Sequence, residues 1–233
     1  MKLPFFYFSG YDGTQKEMVL DEDTSKHVVQ VLRMKAGECI NLTDGKGNLL
    51  TCEITDDNKK HCTVSVIDKT YKEQQVKKVF IAISLLKNTN RFEWFLEKAT
   101  EIGVSEIVPL ICERTEKEKF RYERLQGICI SAMLQSQQCW LPVLHQPVEF
   151  DKAIKTISSD LKLIAHCEDV TAKNNLSTLQ PLNSSTILIG PEGDFTPSEI
   201  EQALLHNFKP VSLGETRLRT ETAGVVAAAI LLR

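Results

Sequence analysis

The chain has 233 residues, 42% hydrophobic and 25% charged, with a formal net charge of −3. This is the composition of one large or two small folded domains; it excludes a disordered chain, a helical membrane span and a protein held to nucleic acid by bulk charge. Seven cysteines, an odd number with no C-x-x-C spacing, read as reduced thiols of a cytoplasmic protein.

The apolar start at residues 1–8 is too short for a signal peptide and is followed by Asp12 before any cleavage-like site. Residues 1–70 alternate short strand-like runs with turn signals. The runs are Phe5 to Phe8, Glu17 to Leu20, Glu38 to Thr43, Leu49 to Ile54 and Cys62 to Ile67. Turns fall at Gly10–Gly13, Asp44–Asn48 and Asp56–Lys60. One helical piece, Thr24–Arg33, interrupts them. Such regular short strands predict a small β-barrel, a fold that serves either as scaffold or as RNA binder. Lys26, Arg33 and Lys35 are its candidate phosphate contacts, although each taken alone reads better as a solvated surface charge. Residues 68–78 are polar and poorly patterned, which places a domain boundary there: 1–70 and 76–233.

From Val79 the pattern changes to α/β. Val79 to Leu86 is a continuous apolar run, as expected of a strand buried on both faces. Arg91–Ile102 is an amphipathic helix with Phe92, Phe95, Leu96, Ala99 and Ile102 on one face, and Gly103 suits its left-handed C-cap. Val104 to Ile111 is the next strand, residues 113–119 form a charged loop, and Tyr122–Gln138 is a second helix. Further strands are Leu161 to Ala165, Thr186 to Ile189 and Val211 to Leu213. Thr196-Pro-Ser-Glu199 has the form of a capping box with proline at the first helical position. Ala223 to Leu232 is apolar on every face, so it predicts a helix buried in a core or in a subunit interface. Alternating strands and helices predict a parallel sheet. Residues 76–125 are the only segment with more basic than acidic side chains.

Known catalytic signatures are absent. There is no Walker lysine loop, no G-x-G-x-x-G, no G-x-S-x-G, and the five histidines have no metal-ligand spacing. What remains are three turns after strands: Ala165–Glu168, Gly190–Gly193 and Leu213–Thr222. At the carboxyl edge of an open α/β sheet, where ligands bind, such turns can hold a flat adenine through main-chain groups.

These residues carry a resemblance. His27–Arg33, Arg91–Trp94 with Glu97–Gly103, Glu113-Arg114, Ile189–Gly193, and Leu213-Gly214 with Leu218–Ala223 together resemble the SPOUT superfamily of AdoMet-dependent RNA methyltransferases. Within it, the chain looks like the enzymes that methylate uracil N3 in 16S RNA of the small ribosomal subunit. The resemblance covers nearly the whole chain, and its C-terminal blocks are the specific ones. It implies a PUA-like barrel before an α/β domain whose end threads a loop into a trefoil knot, a rare exception to the fold rules. It also implies a homodimer and S-adenosyl-L-methionine held by Gly190, Glu192, Gly193, Leu213, Gly214, Leu218 and Thr220, with His166 and Cys167; the missing ligand spacings predict no metal. Lys87, Arg91 and Arg114 are the candidate phosphate contacts of the second domain, and would be equally ordinary as surface salt-bridge partners. Three places depart from the family pattern: Asp194 stands where glycine is usual, residues 134–139 replace a run bearing a basic residue, and residues 87–91 are altered with Lys87 kept.

Methylation at N3 requires loss of the imino proton and an unpaired base. Arg219 is then the candidate stabiliser of the uracil anion, since a guanidinium stays charged. Glu221 is the candidate base, or the group that orients Arg219. A helix start with Thr220 as cap and Glu221 complementing the dipole fits the same residues. Other readings stay open: a SPOUT enzyme acting on transfer RNA or a ribose hydroxyl, a non-catalytic RNA-binding assembly module, or a phosphate binder at the Thr196 helix start.

Overall fold

The computed structural model describes residues 3–116, 119–168, 173–180 and 182–233. Lys117 and Glu118 of the charged loop thus lie outside the described residues. The chain divides into two compact units: Met1–Gln74 with Met133–Leu141, and Gln75–Ala132 with Pro142–Arg233.

In the first unit, β1 (Phe5–Tyr7), β2 (Glu17–Val19), β3 (Cys39–Thr43), β4 (Asn48–Asp56) and β5 (Thr63–Tyr71) form one sheet in the order β1-β3-β4-β5-β2. Among the described residues only the β1–β3 pair of this sheet is parallel. Its core comprises Met18, Leu20, Val28, Ile40, Leu42, Leu50, Ile54 and Val64 among others. The helical piece begins earlier than its sequence suggests. Helix α1 (Glu22–Lys26) is capped by Asp21, whose Oδ1 accepts the Thr24 N–H at 2.9 Å. It then loosens into a π-helical turn over His27–Val31. Strand β5 runs on to Tyr71, into the stretch that its sequence leaves unpatterned, because the ladder with β4 continues to Asn48–Tyr71.

Residues Met133–Leu141 return to this unit, although the sequence assigns them to the second domain. The tie is mainly main-chain. The Gly47 N–H donates to the Cys139 carbonyl and the Leu141 N–H to the Gly45 carbonyl, both at 2.9 Å. Trp140 Nε1 donates to the Lys72 carbonyl at 2.7 Å.

The second unit is a parallel sheet. Its strands are β6 (Lys78–Ser84), β7 (Glu106–Ile111), β8 (Val143–Leu144), β9 (Val148–Glu149), β10 (Leu161–Ala165), β11 (Asn174–Asn175), β12 (Ser184–Ile189) and β13 (Lys209–Ser212). The order is β11-β13-β10-β12-β6-β7-β8, with β9 also paired to β7. Every pairing is parallel. The helices are α2 (Thr89–Ile102), α3 (Tyr122–Gln135), α4 (Phe150–Thr156), α5 (Pro197–Leu205) and α6 (Thr220–Leu231). Strands β8, β9 and β11 are two residues long, too short to leave a period in the sequence.

The pleat sorts the core onto two faces. Ala82, Ile164 and Leu188 meet Phe150, Ile154, Ile200 and Ala203 of α4 and α5. On the other face α2 and α6 pack together, with Gly224 of α6 set against Phe95 of α2 and Ile83 of β6. Helix α2 ends as its sequence predicts, on Gly103 at φ 97°. Its inward face is Phe92, Phe95, Leu96, Ala99 and Thr100, whereas Ile102 is only half-buried. Each buried Phe or Leu contributes about 1.5–3 kcal/mol of transfer free energy.

Candidate active site

Strands β13, β10 and β12 are neighbours, so the turns leaving their carboxyl ends converge. They line one cavity of about 670 Å³, closed further by Arg91 of α2 and by Thr220 and Ala223 of α6. That size lies within the usual range for a cofactor pocket. Of the sequence candidates, His166, Cys167, Gly190, Glu192, Leu213, Gly214, Leu218, Arg219 and Thr220 line it. Gly193 and Glu221 do not: Gly193 lies in the chain between the lining residues Glu192 and Asp194, and Glu221 approaches the lining residue Arg91. The Gly193 carbonyl accepts Arg114 Nη1 at 2.6 Å, and Glu221 Oε1 lies 3.7 Å from Arg91 Nε.

The middle turn is fixed on several sides. A Cβ on Gly190 would sit 3.1 Å from the Phe195 N and ring, so glycine here makes room for the buried Phe195. Asp194 adopts φ 65°, a left-handed conformation that short polar residues tolerate. Its Oδ1 accepts the Phe195 N–H at 2.8 Å, and its Oδ2 accepts the Cys167 N–H at 2.7 Å. Asp194 therefore joins the first turn to the second. The sequence marks it only as a departure from the family pattern; an aspartate at a left-handed turn position is the signal that could have revealed it.

The capping box forms as its sequence predicts. Thr196 Oγ1 accepts the Glu199 N–H at 3.3 Å, and Glu199 Oε2 accepts the Thr196 N–H at 2.8 Å. The same groups hold the loop after β7. The Glu113 N–H donates to Glu199 Oε1 at 2.9 Å, and Thr196 Oγ1 lies 3.0 Å from Glu113 Oε2. The third turn is shaped by Ser212 Oγ, which donates to the Gly214 carbonyl at 2.9 Å, with Gly214 at φ 143°.

His166 is buried, and among the described residues neither ring nitrogen has a full hydrogen-bond partner. Burial, with Lys173 nearby, holds its pKa below the usual imidazole value, so the ring is neutral near pH 7. A neutral, buried imidazole on the wall of this cavity suits a bound polar ligand, and AdoMet fits that wall and volume. Glu221 is buried in the first turn of α6, with Oε2 unpaired among the described residues. The cap of α6 is Arg219, with no side-chain hydrogen bond, and Thr220 is the first helical residue. The expected Thr220 cap is thus corrected: the chain enters the helix one residue earlier than a threonine cap requires. Arg219 is exposed, and it makes no ion pair among the described residues.

The remaining cation candidates are mostly engaged. Lys87 pairs with Glu116 at 2.6 Å, Lys26 with Glu22 at 2.8 Å and Lys35 with Asp57 at 3.2 Å. These exposed pairs are weak and leave the cations accessible. Arg33 is exposed at φ 59°. Arg91 is the one candidate phosphate contact that lines the cavity itself. Among the described residues no cluster of three or more His, Cys, Asp or Glu could hold a metal ion.

A parallel α/β domain with a cofactor-sized cavity at the carboxyl edge of its sheet, in one chain with a small β unit, is the build of a cofactor-binding α/β protein. The RNA methyltransferase domain family matches residues 72–232, and the RNA methyltransferase PUA domain matches residues 20–67, so the chain belongs to the RNA methyltransferase family. A crystal structure of a probable rRNA-methyltransferase from Porphyromonas gingivalis is 41% identical, with a TM-score of 0.90 over 97% of this chain and 95% of that one. Ribosomal RNA small subunit methyltransferase E from Neisseria gonorrhoeae, solved bound to S-adenosyl methionine, is 30% identical with a TM-score of 0.86, over 97% and 95% of the two chains. The curated protein of that name from Rickettsia conorii is 28% identical over 98% of this chain and 95% of its own length.

Proposed function

We propose that the chain is an AdoMet-dependent methyltransferase acting on N3 of a uracil in 16S RNA of the small ribosomal subunit. The observation that carries this reading is the convergence of three turns on one cavity, with the unengaged Arg219 in its wall. The relatives' names and their bound S-adenosyl methionine support it.

AdoMet supplies an electrophilic methyl group. The protein must hold the base in line with it, stabilise the anion left when the imino proton departs, and take up that proton. Main-chain groups of the Gly190–Gly193 and Leu213–Leu218 turns, with Thr220, His166 and Cys167, would hold the cofactor. Arg219 would hold the uracil oxygens as negative charge develops. Glu221, buried beside Arg91, would accept the proton or set the arginines in place. Lys87 and Arg114 beside the site, and Lys26, Arg33 and Lys35 on the first unit, would meet phosphates.

The reading extends to the assembly. Val225, Val226 and Ile230 of α6 stay half-buried and Ala229 exposed, an apolar strip that a two-fold partner would cover. Reduced cysteines suit a cytoplasmic enzyme; the described ones are all unpaired. The threading of the C-terminal segment into a knot, and an RNA-binding role for residues 1–70 beside a catalytic 76–233, belong to the same reading.

The test is transfer of labelled methyl to isolated small subunits and to naked 16S RNA, followed by nucleoside identification. Label recovered as N3-methyluridine is the expected result. Label on ribose or on transfer RNA overturns the N3 assignment, and AdoMet binding without transfer to any RNA overturns the enzymatic one.

A further inference from the structure

A second cavity of about 370 Å³ opens in the same parallel unit, between the segment after β6, the start of α2 and the start of α3. Its floor is apolar, with Leu86 and Phe92 buried. Phe120 lines it half-buried, braced by Phe92 at 6.4 Å and 72° and by Tyr122 at 6.4 Å and 50°. Its rim is basic. Arg124 is locked to Glu93 by two hydrogen bonds of 2.6 and 2.9 Å, which makes it a wall. Lys119 and Arg121 are exposed and make no ion pair among the described residues.

An aromatic ring with two cations that are unpaired among the described residues, on an apolar floor, is the chemistry that receives one unstacked nucleotide. The ring takes the base face and the cations take the phosphate. The volume admits a ligand of that size. Position adds to the chemistry. Strands β6, β12 and β10 are parallel neighbours, so this cavity and the 670 Å³ one open at the same carboxyl edge. The first turn of α2 stands between them: Asn90 lines the smaller cavity and Arg91 the larger. The surrounding segment, 76–125, is also where the basic charge of the sequence concentrates.

We infer that this cavity binds a single-stranded nucleotide of the substrate RNA next to the one being methylated, with Phe120 as the stacking platform and Lys119 and Arg121 as phosphate contacts. This rests on the RNA methyltransferase reading above. It assigns Phe120, Lys119 and Arg121 a role in holding RNA and none in the chemistry.

The full-length variants Phe120→Ala, Phe120→Trp and Lys119→Ala/Arg121→Ala test it. Two quantities are read: anisotropy of a fluorescein-labelled single-stranded oligoribonucleotide, and methyl transfer to small subunits. For Phe120→Ala, oligonucleotide affinity falls and KM for the subunit rises about tenfold, with kcat and AdoMet affinity kept; Phe120→Trp restores both. The double variant loses affinity and flattens its salt dependence. Unchanged affinity and KM in Phe120→Ala and in the double variant, with AdoMet still bound, overturn the inference. If the wild type transfers methyl to no RNA while Phe120→Ala still weakens oligonucleotide binding, the enzymatic reading falls and the cavity assignment stands.

Discussion

The carboxylate of Asp194 accepts the main-chain N–H of Cys167 at 2.7 Å, joining the turn after β10 to the turn after β12. Both turns line the cofactor-sized cavity, so this bond sets the distance between two of its walls. A hydrogen bond to a charged acceptor is worth about 1.5–3 kcal/mol, less where solvent reaches it. Asp194→Gly suits the left-handed backbone but loses the tie. It is expected to weaken AdoMet binding by about tenfold with little change in melting temperature, and Asp194→Asn to fall between. Calorimetric titration with AdoMet checks this; equal affinities in all three proteins would remove Asp194 from the site.

Arg219 stands at the start of α6, exposed and without an ion pair among the described residues. Arg219→Ala is expected to lower methyl transfer by about 10²–10³, the cost of losing a donor to a developing oxyanion. AdoMet affinity should stay close to normal. Turnover near the wild-type level in this variant would exclude the role.

Glu221 is buried and its nearest cation is Arg91, at 3.7 Å. Glu221→Gln keeps the shape and removes the charge. The expected result is a loss of kcat on the order of 10²-fold, as for a general base. Arg91→Ala is expected to lower kcat less. A Glu221→Gln enzyme that turns over at the wild-type rate would show that the residue serves only the helix.

Gly224 lies where α6 crosses α2. A Cβ there would be 2.6 Å from Phe95 Cε2 and 3.0 Å from Ile83 Cδ1. Alanine gains about 1 kcal/mol of helix propensity over glycine, but overpacking a close-packed contact costs about 1–3 kcal/mol. Gly224→Ala is therefore expected to lower the urea midpoint. A raised midpoint would mean that the two helices are not in this contact.

Thr196 serves both the start of α5 and the loop bearing Glu113. Thr196→Ala is expected to destabilise the protein by about 1 kcal/mol, and Thr196→Ser to restore most of it. Thermal unfolding of the three proteins decides; an alanine variant as stable as the wild type would show that the cap is dispensable.

Local rules in the sequence settled the elements whose cause is local. The capping box at Thr196 and Glu199, the left-handed Gly103, the buried β6 and the amphipathic face of α2 each follow from residues within one or two turns of one another. The same is true of the three site turns, which the glycines and the strand runs mark in the chain. Tertiary structure decided what depends on residues far apart. The return of Met133–Leu141 to the first unit runs largely through main-chain bonds, which carry no residue identity. The meeting of Cys167 with Asp194, of Arg91 with Glu221, and of Arg114 with Gly193 follows from strand order, which periodicity along one strand does not encode. Short-range propensity is written in neighbouring residues, whereas the shape of a cavity is set by which strands become neighbours in the sheet.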